Sequence, residues 1–157
     1  MKLKVIIFCI ISFLSSLFLN SVEVEAKVQG LQIAGSTKVG TLYVDTDKTS
    51  AVKKDGAYYL AVFAEEKYTN QVFLNNLHKN ERLKDVVGAV YLFLFDNMGS
   101  SYCTATKCLV DAKGSVCLDY GSDMKMKQLT AQDTTMLNAY TLCLKALENK
   151  TRLQKKF

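Results

Sequence analysis

Apolar positions along this chain alternate, run together or recur at helical spacing, and each pattern predicts an element. Leu31 and Ile33 share one face of a short strand over Gly30–Ala34. A second strand covers Thr41–Asp45. The polar stretch Asp47–Gly56 follows and ends in Asp55-Gly56, a hairpin signal. Ala57–Ala64 (AYYLAVFA) is aromatic, β-branched and uncharged, the composition of a central strand. The period then changes. Val72, Phe73, Leu74 and Leu77 give Asn70–His78 the look of a short amphipathic helix, with Thr69 as its N-cap. Val86–Phe95 (VVGAVYLFLF) is apolar on both faces and reads as a buried strand at the centre of a sheet. Ser101–Val110 and Ser115–Tyr120 read as a hairpin around Asp111-Ala112-Lys113-Gly114, and Gly121–Gln128 as a polar connection. Thr130 to Asp133 resembles a capping box. Met136, Tyr140, Cys143, Leu144 and Leu147 then form the strongest helical stripe in the chain.

Strands in sequence, one short helix between them and one helix at the end predict an α+β fold. The expected architecture is an antiparallel sheet of about six strands. The C-terminal helix packs on one face, and the short helix is inserted before the central strand.

The first 26 residues do not share these patterns. Lys2 and Lys4 precede the apolar run Val5–Leu19, and Val24-Glu25-Ala26 supplies residues suited to a cleavage site. This is the pattern of a secretory signal peptide. The chain thus divides into a leader (1–26), a single α+β domain (27–150) and a basic tail (151–157) expected to fray. Export to the periplasm, the cell surface or the medium follows, with no membrane contact once the leader is gone.

The whole chain of 157 residues carries 20 Lys+Arg against 15 Asp+Glu. Removing the leader takes two Lys and two Glu with it, so the net charge stays at +5. Only Arg82 and Arg152 of these cations are arginine, and the lysines are scattered. A nucleic-acid reader would favour arginine's bidentate fork, so no nucleic-acid partner is expected.

Cys9 leaves with the leader, and Cys103, Cys108, Cys117 and Cys143 remain. An even number in an oxidising compartment suggests disulfides, and four cysteines allow three connectivities. A four-residue hairpin loop would set Cys108 opposite Cys117 and leave Cys103 to Cys143 on the helix. A three-residue loop would set Leu109 opposite Cys117 instead; the four-residue loop is the expected one, with Cys108–Cys117 and Cys103–Cys143 as the expected bridges. A four-cysteine zinc site lacks any C-x2-C knuckle at these spacings.

Catalytic patterns are sparse. His78 is the only histidine, at a polar helix end. Glu65 and Glu66 are adjacent on a strand and point oppositely, as solvated strand-end charges would. Asp45, Asp47 and Asp55 lack the dense oxygen ligands of a calcium loop. No catalytic residue, cofactor or metal site is assigned. The tyrosines are the remaining candidates: Tyr43, Tyr58, Tyr59, Tyr91 and Tyr102 lie on predicted strands. A sheet covered by a helix on one face would present some of them on the other, as a binding or homodimer surface.

Three pieces together resemble the surface-adhesin E-like family of small exported bacterial proteins. Leu42-Tyr43-Val44-Asp45 is followed by Asp55-Gly56 and the Tyr58-to-Phe63 strand. Tyr91 to Phe95-Asp96 precedes the hairpin Asp111-Ala112-Lys113-Gly114. A C-terminal helix carries Cys143. The resemblance spans residues 41–147. It implies an antiparallel sheet with an attached C-terminal helix, dimerisation and, for its best-known member, binding of host matrix and serum proteins. The chain departs from the family in three ways. It has no Trp, it has Asn97 where a Cys usually follows the Phe-Asp pair, and it carries an added helical stretch over Asn70–Asp85. The expected function is that of an exported, non-enzymatic binding module with a host matrix, serum or envelope protein as partner. A structural or assembly role in the cell envelope is the second reading, and a small extracytoplasmic enzyme the third.

Overall fold

The computed structural model of the chain describes residues 30–154. The expected leader and the last three residues of the expected tail lie outside the described residues. Seven strands form one antiparallel sheet: β1 (Leu31–Ser36), β2 (Gly40–Lys54), β3 (Ala57–Tyr68), β4 (Val86–Asp96), β5 (Ser101–Asp111), β6 (Val116–Asp119) and β7 (Asp123–Gln128). The order is sequential from β1 to β6, and β7 pairs with the stretch of β5 that β6 leaves free. Helix α1 (Gln71–Leu77) and a 3-10 turn (Glu81–Leu83) join β3 to β4, and helix α2 (Thr134–Gln154) closes the chain. The α+β architecture, with its terminal helix on one face and its short inserted helix, is the one that the apolar pattern predicts.

Period-2 alternation sorts the sheet into two faces. Leu42 and Val44 of β2, Leu60, Val62 and Ala64 of β3, and Phe93 and Phe95 of β4 turn to one face and pack with Ala139 and Cys143 of α2. Tyr68, Ala89 and Leu109 continue that face under α1 and the 3-10 turn, with Phe73, Leu74, Leu77 and Leu83 above them. The outer face holds a smaller cluster of Ala61, Leu94 and Cys103. Asn138 and Thr135 of α2 donate to the carbonyls of Ala34 and Ser36, which holds the helix to β1.

Several elements differ from their expected form. β2 runs on through the polar stretch to Lys54, because a bulge after Asp45 turns Thr46 and Thr49 inward, where their hydroxyls donate to the carbonyls of Gly30 and Asp45. The N-cap of α1 is Asn70, whose side chain accepts from the Phe73 amide, and not Thr69. α2 begins at Thr134, after Asp133 has folded back to accept from the amide and hydroxyl of Thr130. It stays helical through Gln154, so Thr151–Gln154 is helix where a frayed tail was expected.

Candidate functional site

The start of α2 leaves part of the sheet uncovered. A cleft of about 820 Å³ opens there, walled by the β1–β2 turn, the first turn of α2 and the β6–β7 loop. Its floor is built from β3, β4 and β5: Glu66, Tyr91, Phe93, Tyr102 and Thr104. The rings form one continuous layer. Tyr91 stacks on Phe93 with centroids 5.0 Å apart, and Tyr102 meets Phe93 edge-on at 5.8 Å and stacks on Phe95 at 5.5 Å.

Glu66 is the unusual member of this floor. It continues the Leu60–Val62–Ala64 alternation, so its carboxylate turns toward the helix-bearing face and is only 7% exposed. Buried carboxylates normally meet a cation. This one meets hydroxyls: Tyr91 Oη donates to its Oε2 at 2.7 Å, and Thr37 Oγ1 donates to its Oε1. Among the described residues no lysine or arginine lies within ion-pair distance of it.

The backbone is shaped to allow this. Thr37 sits in the tight β1–β2 turn, where its amide donates to the Gly40 carbonyl at 2.8 Å and its own hydroxyl accepts from the amides of Val39 and Gly40. A Cβ on Gly40 would lie 1.8 Å from the Lys67 carbonyl oxygen, and one on Gly88 would lie 2.4 Å from that of Glu66. Two glycines on β2 and β4 thus let the neighbouring strands close tightly on β3 where Glu66 sits.

Burial lifts the Tyr91 hydroxyl far above the ordinary phenol range, and its hydrogen bond to Glu66 and that carboxylate's charge lift it further. Burial and the same charge push Tyr68, which belongs to the same hydroxyl network, up to about 12. Both therefore remain protonated donors at neutral pH. Burial also raises Tyr102.

On the other side of Tyr91 stands Lys107, its partner in the β4–β5 register. Its ammonium lies 5.7 Å from the Tyr91 ring centroid and 5.1 Å from that of Tyr120. Lys107 is half-buried and makes no ion pair among the described residues, whereas Lys127 is paired to Asp123 at 3.1 Å.

The five candidate tyrosines are divided. Tyr91 and Tyr102 line the cleft. Tyr43 lies on the outer face under the ammonium of Lys67, and Tyr59 joins the outer cluster around Ala61 and Leu94. Tyr58 is at the β2–β3 hairpin, 60% exposed, with Lys53 over its ring. The pattern of aromatics on strands pointed to Tyr91 and Tyr102 but not to Glu66, Thr37, Lys107 or Tyr120.

The cysteines are free thiols in the structure, and neither expected pair is brought together. A bulge between Leu109 and Val110 makes Cys117 the extra residue of β6, so Cys108 stands opposite Asp119. Cys108 packs with Val90 and Val110 on the outer face, while Cys117 packs against the cluster beneath α1. Burial and the nearby Asp119 push the Cys108 thiol up to about 11. A second bulge in β5 inserts Ala105 and turns Cys103 to the outer face as well. Cys143 is beneath α2, so the sheet separates it from Cys103.

His78 joins α1 to the sheet, its Nε2 donating to the Val86 carbonyl at 2.7 Å. Asp45 pairs with Lys48 at 3.0 Å and accepts from the amides of Asp47 and Lys48. Among the described residues no three His, Cys, Asp or Glu side chains are grouped to hold a metal, and no helix is long and apolar enough to cross a membrane. Comparison with models of protein families, with curated proteins and with solved structures finds no match to this chain.

Proposed function

We propose that the chain is an exported, non-enzymatic binding module whose ligand site is the cleft on the helix-bearing face. The observation that carries this reading is the buried Glu66 carboxylate, held by two hydroxyls and, among the described residues, by no cation, on the floor of an open aromatic cleft. Such a group is costly to bury and gains most when a ligand supplies the missing charge. The engagement of His78 with a backbone carbonyl favours binding over turnover, since the chain has no other imidazole to move a proton at the cleft. The division of the tyrosines favours a concave site over a flat aromatic interface. The cleft takes a compact ligand, free or presented as one protruding group by a partner protein. A host matrix or serum protein is the partner that the resemblance to the surface-adhesin E-like family suggests.

The test compares immobilised wild type, Lys107→Glu in the cleft and Tyr43→Ala on the outer face, each exposed to purified matrix and serum proteins. Saturable binding that falls at least about tenfold with Lys107→Glu and persists with Tyr43→Ala is expected. The reverse pattern would move the interface to the outer face and overturn the reading. Absence of binding to every protein would remove the host partner.

A further inference from the structure

Glu66 and Lys107 are opposite charges lining the same cleft, and among the described residues neither has a counter-ion. They cannot reach one another because Tyr91 stands between them, its hydroxyl on Glu66 and its ring against the Lys107 ammonium. The other charged groups of the cleft, Lys38, Asp123, Lys127 and Asp133, are exposed at its rim, where water compensates them, and Asp123 is also paired with Lys127. The two uncompensated charges therefore ask for a ligand that carries both signs.

The spacing limits that ligand. Tyr91 links the two charges: its Oη is 2.7 Å from Glu66 Oε2 and its ring centroid 5.7 Å from Lys107 Nζ, so with about 2.8 Å from ring centre to hydroxyl oxygen they lie at most about 11 Å apart. A charge-assisted hydrogen bond at each end takes up about 2.8 Å of that. At most about 5 Å remains, which admits a ligand whose ammonium and carboxylate are only a few bonds apart, as in an amino acid. The Glu66 oxygens each accept one hydroxyl in the free protein and keep lone pairs for an ammonium. Tyr91 Oη, whose O–H points at Glu66, also has lone-pair capacity at that end. The rings of Phe93 and Tyr102 beside the charged groups provide an apolar surface for a side chain.

We infer that the cleft binds a small zwitterion of the amino-acid type, its ammonium on Glu66, its carboxylate on Lys107 and its side chain on Phe93 and Tyr102. This rests on the cleft being the ligand site, and it adds the chemistry of what enters.

Three probes of one shape test it by titration calorimetry and by amide NMR shifts on the purified protein. L-Leucine carries both charges, 3-methylbutylamine only the cation and 4-methylpentanoate only the anion. Saturable binding of leucine at about 1 mM or tighter is expected, with each single-charge analogue at least about tenfold weaker. The shifts should centre on Glu66, Tyr91 and Lys107. Lys107→Met should weaken leucine by at least about tenfold and should not weaken 3-methylbutylamine, which loses a repelling ammonium. Glu66→Gln, checked for folding by its melting curve, should weaken leucine and tighten 4-methylpentanoate, because the repelling carboxylate is gone.

Either analogue binding as tightly as leucine would overturn the zwitterion, as would leucine shifts lying elsewhere or no leucine binding up to about 10 mM. The cleft reading fails separately, when Tyr43→Ala and not Lys107→Glu abolishes the binding of a partner protein. Lys107→Met, at the half-buried rim, decides the matter if Glu66→Gln does not fold.

Discussion

Glu65 and Glu66 are neighbours on β3, yet one lies on the outer face among lysines and the other on the helix-bearing face among hydroxyls. Lys67 and Lys48 both act on the Glu65 carboxyl. Glu66 receives only Thr37 and Tyr91. The same contrast extends across the sheet. On the outer face Tyr43 already holds a cation, from Lys67, and Asp45 holds Lys48. On the helix-bearing face Lys107 also lies over rings, those of Tyr91 and Tyr120, but the carboxylate beside it, Glu66, has no ion pair among the described residues. Self-compensated charge gains little from a ligand, and uncompensated charge gains much. The proposed site therefore lies on the face that keeps a buried carboxylate without an ion pair, even though the outer face also carries aromatics.

The two faces should differ most in how much stability their side chains carry. Phe95 is fully buried between the sheet and Tyr140 of α2. Phe95→Ala is expected to cost about 4 kcal/mol, from lost burial and the cavity left behind. Tyr59→Ala, at a half-buried position of the outer cluster, should cost about 1–2 kcal/mol. Urea denaturation of the two variants reads both values. Equal losses would mean that the outer face is as much a core as the helix-bearing one, and the comparison would fail.

Removing single hydroxyl groups sharpens the comparison at the site itself. Tyr91→Phe keeps the ring stack on Phe93 and deletes one of the two donors to Glu66. A hydrogen bond to a buried charged group is lost, so a destabilisation of about 2 kcal/mol is expected at neutral pH. Tyr43→Phe on the outer face removes a hydroxyl from a ring whose partner is the Lys67 ammonium at its face, and should change stability by less than about 0.5 kcal/mol. Chemical denaturation at pH 7 separates the two. A Tyr91→Phe variant as stable as wild type would show that Glu66 does not depend on that donor.

Much of the fold was legible because its central elements are strongly periodic. The AYYLAVFA and VVGAVYLFLF runs and the stripe from Met136 to Leu147 each admit one reading, and they fix the two inner strands and the face of α2. The edge was not legible. β7 alternates Met with Lys and is exposed throughout, so no apolar face announces it. The cysteine pairing failed for a different reason. One extra residue in a strand moves every later side chain to the other face, and neither Ala105 nor Cys117 differs locally from a regular strand residue. At the site, Tyr91 and Tyr102 stood out as strand aromatics. Glu66 could have been found by carrying the Leu60–Val62–Ala64 alternation one step further, which places a carboxylate on the helix-bearing face. Thr37 and Lys107 had no such signal, because only the sheet register and the β1–β2 turn bring them to Tyr91 and Glu66.

The smallest expected effect is a pH dependence that belongs to the outer face. Burial lifts the Glu65 carboxyl above its ordinary 4.5, and Lys67 and Lys48 offset only part of that lift. A carboxyl lifted by folding holds its proton more tightly in the folded chain than in the unfolded one. Its contribution to stability is thus complete below the unfolded value and is lost as pH rises through the raised folded value. Glu65→Gln removes the titration, so the variant should gain on wild type from about pH 4.5 upward and level off once Glu65 is fully ionised. Asp96 gives the opposite slope. Burial raises its carboxyl, but hydrogen bonds from Ser101, Ser100 and Met98 outweigh that and hold it below its ordinary 3.8, so its contribution is lost as pH falls through the lowered value. Urea midpoints measured from about pH 3 to 7 on wild type, Glu65→Gln and Asp96→Asn resolve the two slopes. A Glu65→Gln variant that loses ground as pH rises would mean that the lysines overcompensate the burial of Glu65, and the outer face would then be stabilised by its charges instead of merely balanced.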